Sequence, residues 1–466
     1  MKKYILIILC CLTSFPLWSY NVNMIVEHYS VDQGLPNNTV NCTLKDRDGF
    51  IWFGTWYGLC CFDGVKFKTF NKQEHDSDVP PRKIQRIVED KNGYIWVKTI
   101  DRKLYVFNKV TECFHAVYDD MKNYSENIQV IKLQNTAEGD VLLLTKDKNL
   151  LLAGVDEKGQ VTIKILFDSR DEINKHDYTL KHHVLCETEE YISWIGTDYK
   201  VSAVHKGAEL ASRPADFITS KINSGDKDSF TSFFEDGRKV WVGDRAGIFY
   251  SIDVRTGLVN RYVLSEIKGA ISNLLVTPAG YVYLSVAGQG TYEYDLAERR
   301  LQKINTEMND AMVTHAFIDQ YDKIWFHENE KALIYYDPLN HTAKRFPFTM
   351  FGKITTLYSE DAGERGLFFL SPAGEAWLFD REHAEMVYIN KLKQLSNDRA
   401  NQQFYHLMLD NDGVLWLSSA DEGVYCMNFP KKQFNLLSLS PQSAGQENYT
   451  IGVRALFQSK SGDIWV

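Results

Sequence analysis

Apolar and polar residues alternate along most of this chain in short runs, and turn-forming residues separate the runs. Residues 40–70 show the unit clearly. VNCTLKD alternates with period two, Asp48-Gly49 makes a turn, and IWFGT follows. Trp56, Tyr57 and Gly58 interrupt the pattern before LCCFD, and Asp63-Gly64 leads into KFKTF. Period-two runs bounded by Asp-Gly turns predict four antiparallel strands joined by tight hairpins. Residues 83–118 repeat the order with KIQRIVED, YIWVKT, KLYVFN and ECFHAVY. SFTSFFED, KVWVGD, GIFYSID and VNRYVL do so again further on.

The second strand of each unit carries a large apolar anchor, usually tryptophan. The anchors are Trp52, Trp96, Leu142, Trp194, Trp241, Tyr283, Trp325, Phe368, Trp416 and Trp465, about 46 residues apart. That period falls in the range of propeller blades. A single four-stranded sheet leaves two apolar faces wet. Radial stacking covers them, and closing the ring removes the free ends. The indole is therefore expected to act as a wedge between neighbouring sheets.

The strand count predicts how the ring closes. MIVEHYS at 24–30 looks like a fourth strand with no first three before it. VTHAFID, KIWFHE and ALIYYD give three strands ending near Asp337. The expectation is an all-β fold: a seven-bladed β-propeller of four-stranded blades over 21–340, with 24–30 completing the last blade. KRFPF at 344–348 then opens a second propeller over 341–466. SGDIWV ends in mid-strand, so that second ring is expected to be incomplete and the chain to be a fragment of a longer product.

The repeat resembles that of two-component regulator propellers. The residues carrying the resemblance are Asp46 to Thr55 (DRDGFIWFGT), then Gly58-Leu59 and Phe62-Asp63-Gly64. VRALFQSKSGDIWV at 453–466 and the opening YSVDQGLPNNTV fit the same pattern. The resemblance implies the periplasmic sensor region of a hybrid two-component system that controls glycan-utilisation genes. It implies an oligosaccharide ligand and an inner-membrane anchor in full-length relatives, and leaves room for a homodimer there. The kinase activity of such systems lies in modules absent from this sequence, so the chain is expected not to be an enzyme.

Composition agrees without deciding. Of 466 residues, 44% are hydrophobic and 13% aromatic, enough for a large core, and the net charge of −9 argues against a nucleic-acid partner. Residues 1–20 read as a secretory signal peptide, with Lys2-Lys3 before an apolar run that is short for a membrane span. Six cysteines follow it: Cys42, Cys60, Cys61, Cys113, Cys186 and Cys426. None forms a Cys-x-x-Cys pair, so no zinc site is expected. Adjacent Cys60 and Cys61 must point to opposite faces of their strand. His182-His183 is the one histidine pair, on a polar stretch read as solvated.

No catalytic residue, metal or cofactor is assigned. The sequence has no G-x-S-x-G, no H-E-x-x-H and no phosphate loop. The Asp-x-x-Gly turns lack the preceding Ser or Thr of an Asp box. Binding residues are placed instead on the loops between second and third strands, which share one face of the disc. These are Trp56, Tyr57, Arg102, Lys103, Asp198, Tyr199, Arg245, Gln289 and Asn329, joined by Arg82 and Lys98. Trp and Tyr stack on sugar rings, and the polar groups hydrogen-bond hydroxyls. The basic cluster Arg82, Lys83, Arg86, Lys98, Arg102 and Lys103 suggests an anionic glycan. Two other readings stay open: a protein–protein scaffold, and a propeller lyase or hydrolase.

Overall fold

A computed structural model describes residues 25–70, 81–122, 129–146, 149–167, 185–188, 190–195, 200–206, 217–221, 230–304, 313–328, 331–351, 358–361, 366–371, 375–391, 404–428, 457–458 and 464–465. The expected signal peptide, Cys186's side chain and His182-His183 lie outside what it describes. The fold is an all-β propeller. Nine four-stranded antiparallel sheets follow one another among the described residues, spanning 40–70, 84–116, 130–167, 185–221, 230–263, 271–303, 313–347, 358–391 and 404–428. We number them sheets 1 to 9. Each of the first eight is a consecutive up-and-down meander. Phe457–Gln458 and Ile464–Trp465 form a separate two-stranded pair.

Two strand assignments from the sequence are corrected. The N-terminal strand Ile25–Tyr29 does not complete sheet 7. It pairs antiparallel with Val424–Asn428 as the fourth strand of sheet 9, in the register Ile25 with Asn428 through Tyr29 with Val424. Nor does KRFPF open a new ring. Thr342–Pro347 pairs with Ala332–Asp337 as the fourth strand of sheet 7. Asp337 caps that turn, its carboxylate accepting the Leu339 N–H at 3.0 Å and the Asn340 side-chain amide at 2.9 Å. A hairpin this local closes at far lower entropic cost than pairing across three hundred residues. It therefore takes the edge that 24–30 had been assigned. Packing is also continuous past residue 340, because one apolar cluster joins Trp325, Leu333 and Phe346 of sheet 7 to Leu367, Phe369 and Phe379 of sheet 8.

Neighbouring sheets share such clusters all the way round. Sheet 9 closes on sheet 1 through Trp416, Val424 and Cys426 against Val40, Phe53, Cys60 and Phe62. Cys60 faces this seam, whereas Cys61 lies against the cluster shared with sheet 2, as alternation along the strand requires. Among the described cysteines all are free thiols. First strands pack on one another between sheets 1, 2 and 3, between sheets 5, 6 and 7, and between sheets 8, 9 and 1, which places them toward the axis.

The tryptophans are wedges as expected: Trp96, Trp241 and Trp325 are at most 1% exposed. The sequence reading missed what orients them. In sheets 1, 2, 5, 7 and 9 the indole N–H donates to the aspartate that opens the turn between the first and second strands, at 2.7–3.3 Å, and in sheets 1, 2 and 9 that turn is Asp-x-x-Gly. The glycine two residues after the anchor has an equally local cause. A Cβ on Gly54 would overlap the sulfur of Cys42 and lie 2.6 Å from Ile84 of sheet 2. Only glycine lets the next sheet come that close.

Candidate functional site

Two regions carry unsatisfied chemistry: a strip on the loop face of sheets 1 and 2, and a cavity along the axis beside them.

The strip is built by backbone bonds between successive sheets. The Trp56 N–H donates to the Thr39 carbonyl at 3.2 Å, and the Lys83 N–H donates to the Trp56 carbonyl at 2.9 Å. Ile100 and Val130 repeat this, donating to the carbonyls of Lys83 and Arg102 at 2.9 and 3.0 Å. The chain entering each sheet is thus tied to the loop of the sheet before it. Trp56 and Tyr57 are left 41% and 60% exposed. The Lys83 ammonium lies 5.4 Å from the Trp56 ring centroid, a cation–π distance. Arg82, Arg102 and Lys103 are exposed beside them. Arg102 has a backbone φ of 67°, and Lys103 pairs with Asp101 at 3.3 Å.

Other residues assigned from the sequence are placed differently. Lys98 is not a surface loop residue. It lies on a second strand, 6% exposed, with its ammonium donating to Gln85 Oε1 and to the Ile131 carbonyl, both at 2.8 Å. Burial, then the charges of Arg102 and Arg86, push its pKa down to about 8. Gln289 clamps its own loop: its side-chain oxygen accepts the Lys268 N–H at 2.7 Å and its amide donates to the Glu266 carbonyl at 3.2 Å. Arg245 is exposed on sheet 5, away from the strip in the order of sheets. Asp198, Tyr199 and Asn329 lie outside the described residues.

The cavity encloses about 440 Å³ along the first strands of sheets 1 and 2, with Asn135 of sheet 3 and His406 of sheet 9 completing its wall. Its shape follows from a repeated irregularity. In sheets 1, 2, 3, 5, 6, 7 and 9 the first strand bulges immediately after its first paired residue. A bulge re-aims the residues after it. The next paired position is Cys42 in sheet 1, Arg86 in sheet 2 and His406 in sheet 9. Three neighbouring sheets therefore bring the same repeat position to one cavity.

Its electrostatics are uneven. Glu89 on the wall is taken: Lys109 contacts it at 2.8 Å and Arg47 at 3.2 Å. Lys45 is paired with Asp410 and Asp412 of sheet 9. The Arg86 guanidinium has no ion-pair or hydrogen-bond partner among the described residues. Its charge bears on Lys98, on Cys42 and on His406. Burial first, then Arg86, holds the His406 pKa below its ordinary value, and His406 Nδ1 is buried with no hydrogen-bond partner. Alternation and turn residues give no sign of this cavity, because it depends on the bulge. The Trp-x-Lys in place of Trp-x-Gly at Lys98 was the one available signal.

The carboxylates Asp46, Asp48 and Glu89 also converge closely enough to hold a cation. Lys109 already fills that place, at 3.0, 2.7 and 2.8 Å from them. Burial opposes its charge, but the hydrogen bonds to Asp48, Glu89 and Asp46 outweigh it and raise its pKa.

Residues 34–57 match the two component regulator propeller family. A comparison with curated proteins finds no match. Among solved structures the chain is similar to the extracellular domain of a putative hybrid two component system from B. thetaiotaomicron. The identity is 15%, covering 95% of this chain and 64% of that one, with a TM-score of 0.33. It is likewise similar to the extracellular domain of a putative one component system from the same organism, at 14% identity, 85% and 65% coverage and a TM-score of 0.32. Virginiamycin B lyase from Staphylococcus aureus is similar at 12% identity, 63% and 93% coverage and a TM-score of 0.40. The chain spans 64–65% of the length of the two extracellular domains.

Proposed function

We propose that this propeller is the ligand-reading region of a two-component sensor, working in the periplasm, and that its ligand is an oligosaccharide. Exported glycan sensors of this kind regulate glycan-utilisation genes, and we extend that role to this chain. The reading is non-catalytic: binding is the output of this region, and phosphotransfer belongs to other modules. Full-length forms are taken to be anchored in the inner membrane and to pair as homodimers. Among the described residues no helix is long and apolar enough to cross a membrane.

The observation that carries the reading is the pair Trp56 and Tyr57, exposed side by side on a loop whose backbone is fixed on both sides. Exposed aromatics on a rigid frame are what sugar rings stack on, and they lose little entropy on binding. Arg82, Lys83 and Arg102 flank them and favour acidic sugars.

Calorimetry with a panel of neutral and acidic oligosaccharides tests the reading. Binding by at least one, weakened about tenfold or more by Trp56→Ala or Tyr57→Ala, is expected. A folded protein that binds none of the panel refutes it. Capture of a protein partner at the same strip, abolished by Trp56→Ala, would replace it with a scaffold role.

A further inference from the structure

We propose that the axial cavity between sheets 9, 1 and 2 is an oxyanion subsite, taking the sulfate or carboxylate group of an acidic saccharide on Arg86 and His406. This rests on the oligosaccharide reading but names a different place and a definite chemistry. The loop strip supplies stacking, and the cavity supplies charge.

The argument is one of unmatched groups. Arg86 is exposed at the open side of the cavity, so the five N–H donors of its planar guanidinium are held by no protein group among the described residues and are free to meet an incoming oxyanion. Every ionic neighbour in this cavity has a partner except Arg86. Lys45 is held by Asp410 and Asp412, and Glu89 by Lys109 and Arg47. Lys98 stands opposite Arg86 in the strand register and adds a second positive charge behind it. Two cations facing each other across one strand pair destabilise the free protein. An anion set between Arg86 and the unpartnered His406 Nδ1 relieves both defects.

The composition of the repeat position supports a dedicated role. Where Arg86 and Lys98 face each other in sheet 2, sheet 1 has Cys42 opposite Gly54 and sheet 5 has Ser232 opposite Gly243. Small residues suffice for the fold there. Sheet 2 alone of these three puts two long cationic side chains at that level. The volume of about 440 Å³ lies within the range of small-ligand sites. Guanidinium to sulfate or carboxylate is the strong bidentate pairing.

The test compares three probes on the full chain and its variants: a sulfated disaccharide, a uronate-containing disaccharide and their neutral parent, with inorganic sulfate as a fourth. The native protein is expected to bind an acidic disaccharide more tightly than the neutral one. Arg86→Gln should weaken acidic binding by about 10- to 100-fold, the worth of a charged hydrogen bond, and leave neutral binding unchanged. His406→Gln should weaken it less, and Arg86→Lys should keep part of the affinity. Matched melting curves establish that the variants fold.

If saccharides bind and Arg86→Gln changes nothing, the subsite is refuted and the oligosaccharide reading stands. If no saccharide binds but inorganic sulfate raises the melting temperature of the native protein and not of Arg86→Gln, the anion chemistry stands and the oligosaccharide reading falls. Whichever acidic disaccharide wins identifies sulfate or carboxylate as the group held.

Discussion

The indole N–H of Trp96 donates to a carboxylate oxygen of Asp90 at 2.9 Å, and that aspartate is 1% exposed. The other oxygen of Asp90 accepts the backbone N–H groups of Asn92 and Tyr94 at 2.9 and 3.0 Å. One side chain therefore shapes the turn and aims the wedge. The same aspartate–indole pair recurs in four other sheets, so each sheet sets the orientation of its own packing surface.

Removing that link should be costly. Asp90→Ala leaves a buried indole N–H and two backbone donors unmatched, and we expect a loss of about 3 kcal/mol. Trp96→Phe keeps most of the wedge and loses only the donor, for about 1–2 kcal/mol. The double variant should cost less than the two together, because both changes break the same bond. Urea unfolding followed by circular dichroism measures all three.

The seam can be tested covalently. Glu27 lies opposite Cys426 in the closing register, and its charge, after burial, helps push the Cys426 thiol up to about 12. Glu27→Cys should therefore form a disulfide with Cys426 under mild oxidation. Peptide mapping without reductant should recover that cross-link. Its absence would mean that 25–29 docks elsewhere.

Lys109 should be indispensable to the junction of sheets 1 and 2. Lys109→Gln leaves Asp46, Asp48 and Glu89 facing one another with only Arg47, on Glu89, to offset them. We expect a loss of about 2 kcal/mol, read as a lower melting temperature and shrinking in high salt. Lys68→Gln, which removes an exposed pair with Glu112, should change the melting temperature little.

Lys98 gives a definite alkaline signature. Its pKa falls from the ordinary 10.5 to about 8 in the fold. Between those values the unfolded chain binds more protons than the folded one, so stability rises with pH. The visible window runs from about pH 8 to 10. From about pH 9 an opposite slope sets in, because burial pushes the thiols of Cys42, Cys60, Cys61 and Cys426 up to about 12, and above about pH 10 burial and then Glu293 keep the Tyr283 hydroxyl protonated beyond its ordinary range. Across this window the melting temperature of the native protein should therefore rise relative to that of Lys98→Met, the shared thiol background cancelling in the difference.

Gly54→Ala should be disruptive although it adds one methyl group. The new Cβ would overlap Cys42 and crowd Ile84 of the next sheet. We expect about 1–3 kcal/mol of destabilisation. Gly49→Ala, where no atom lies within 4 Å, meets only the strain of a φ of +92° and should cost less.

The repeat was legible because its causes are local. Alternation, Asp-Gly turns and the tryptophan period give the four-stranded sheets and their order directly. Closure was not legible, because IVEHY carries no mark of its partner. Any third strand offers a free edge, and only the hairpin at Asp337 decides which edge is already taken. The exposed aromatics at Trp56 and Tyr57 were readable from their place between two strands. Lys98 was misread, since a lysine two residues past a strand anchor looks like a loop cation until the packing of sheet 3 is known. The Arg86 cavity was hidden for the same reason: register and bulge place its walls, and neither is written in any single segment.

The bulge that follows the first rung of these sheets separates two duties within one strand. The side chains that wedge and lock are fixed by crowding, and Cys42 just past the bulge of sheet 1 is packed among them, whereas its counterpart Arg86 in sheet 2 stands exposed. Changes at Arg86 should leave the framework untouched. The wheel thus carries a replaceable tooth at its hub, and retuning what it meets there requires no rebuilding of the rim.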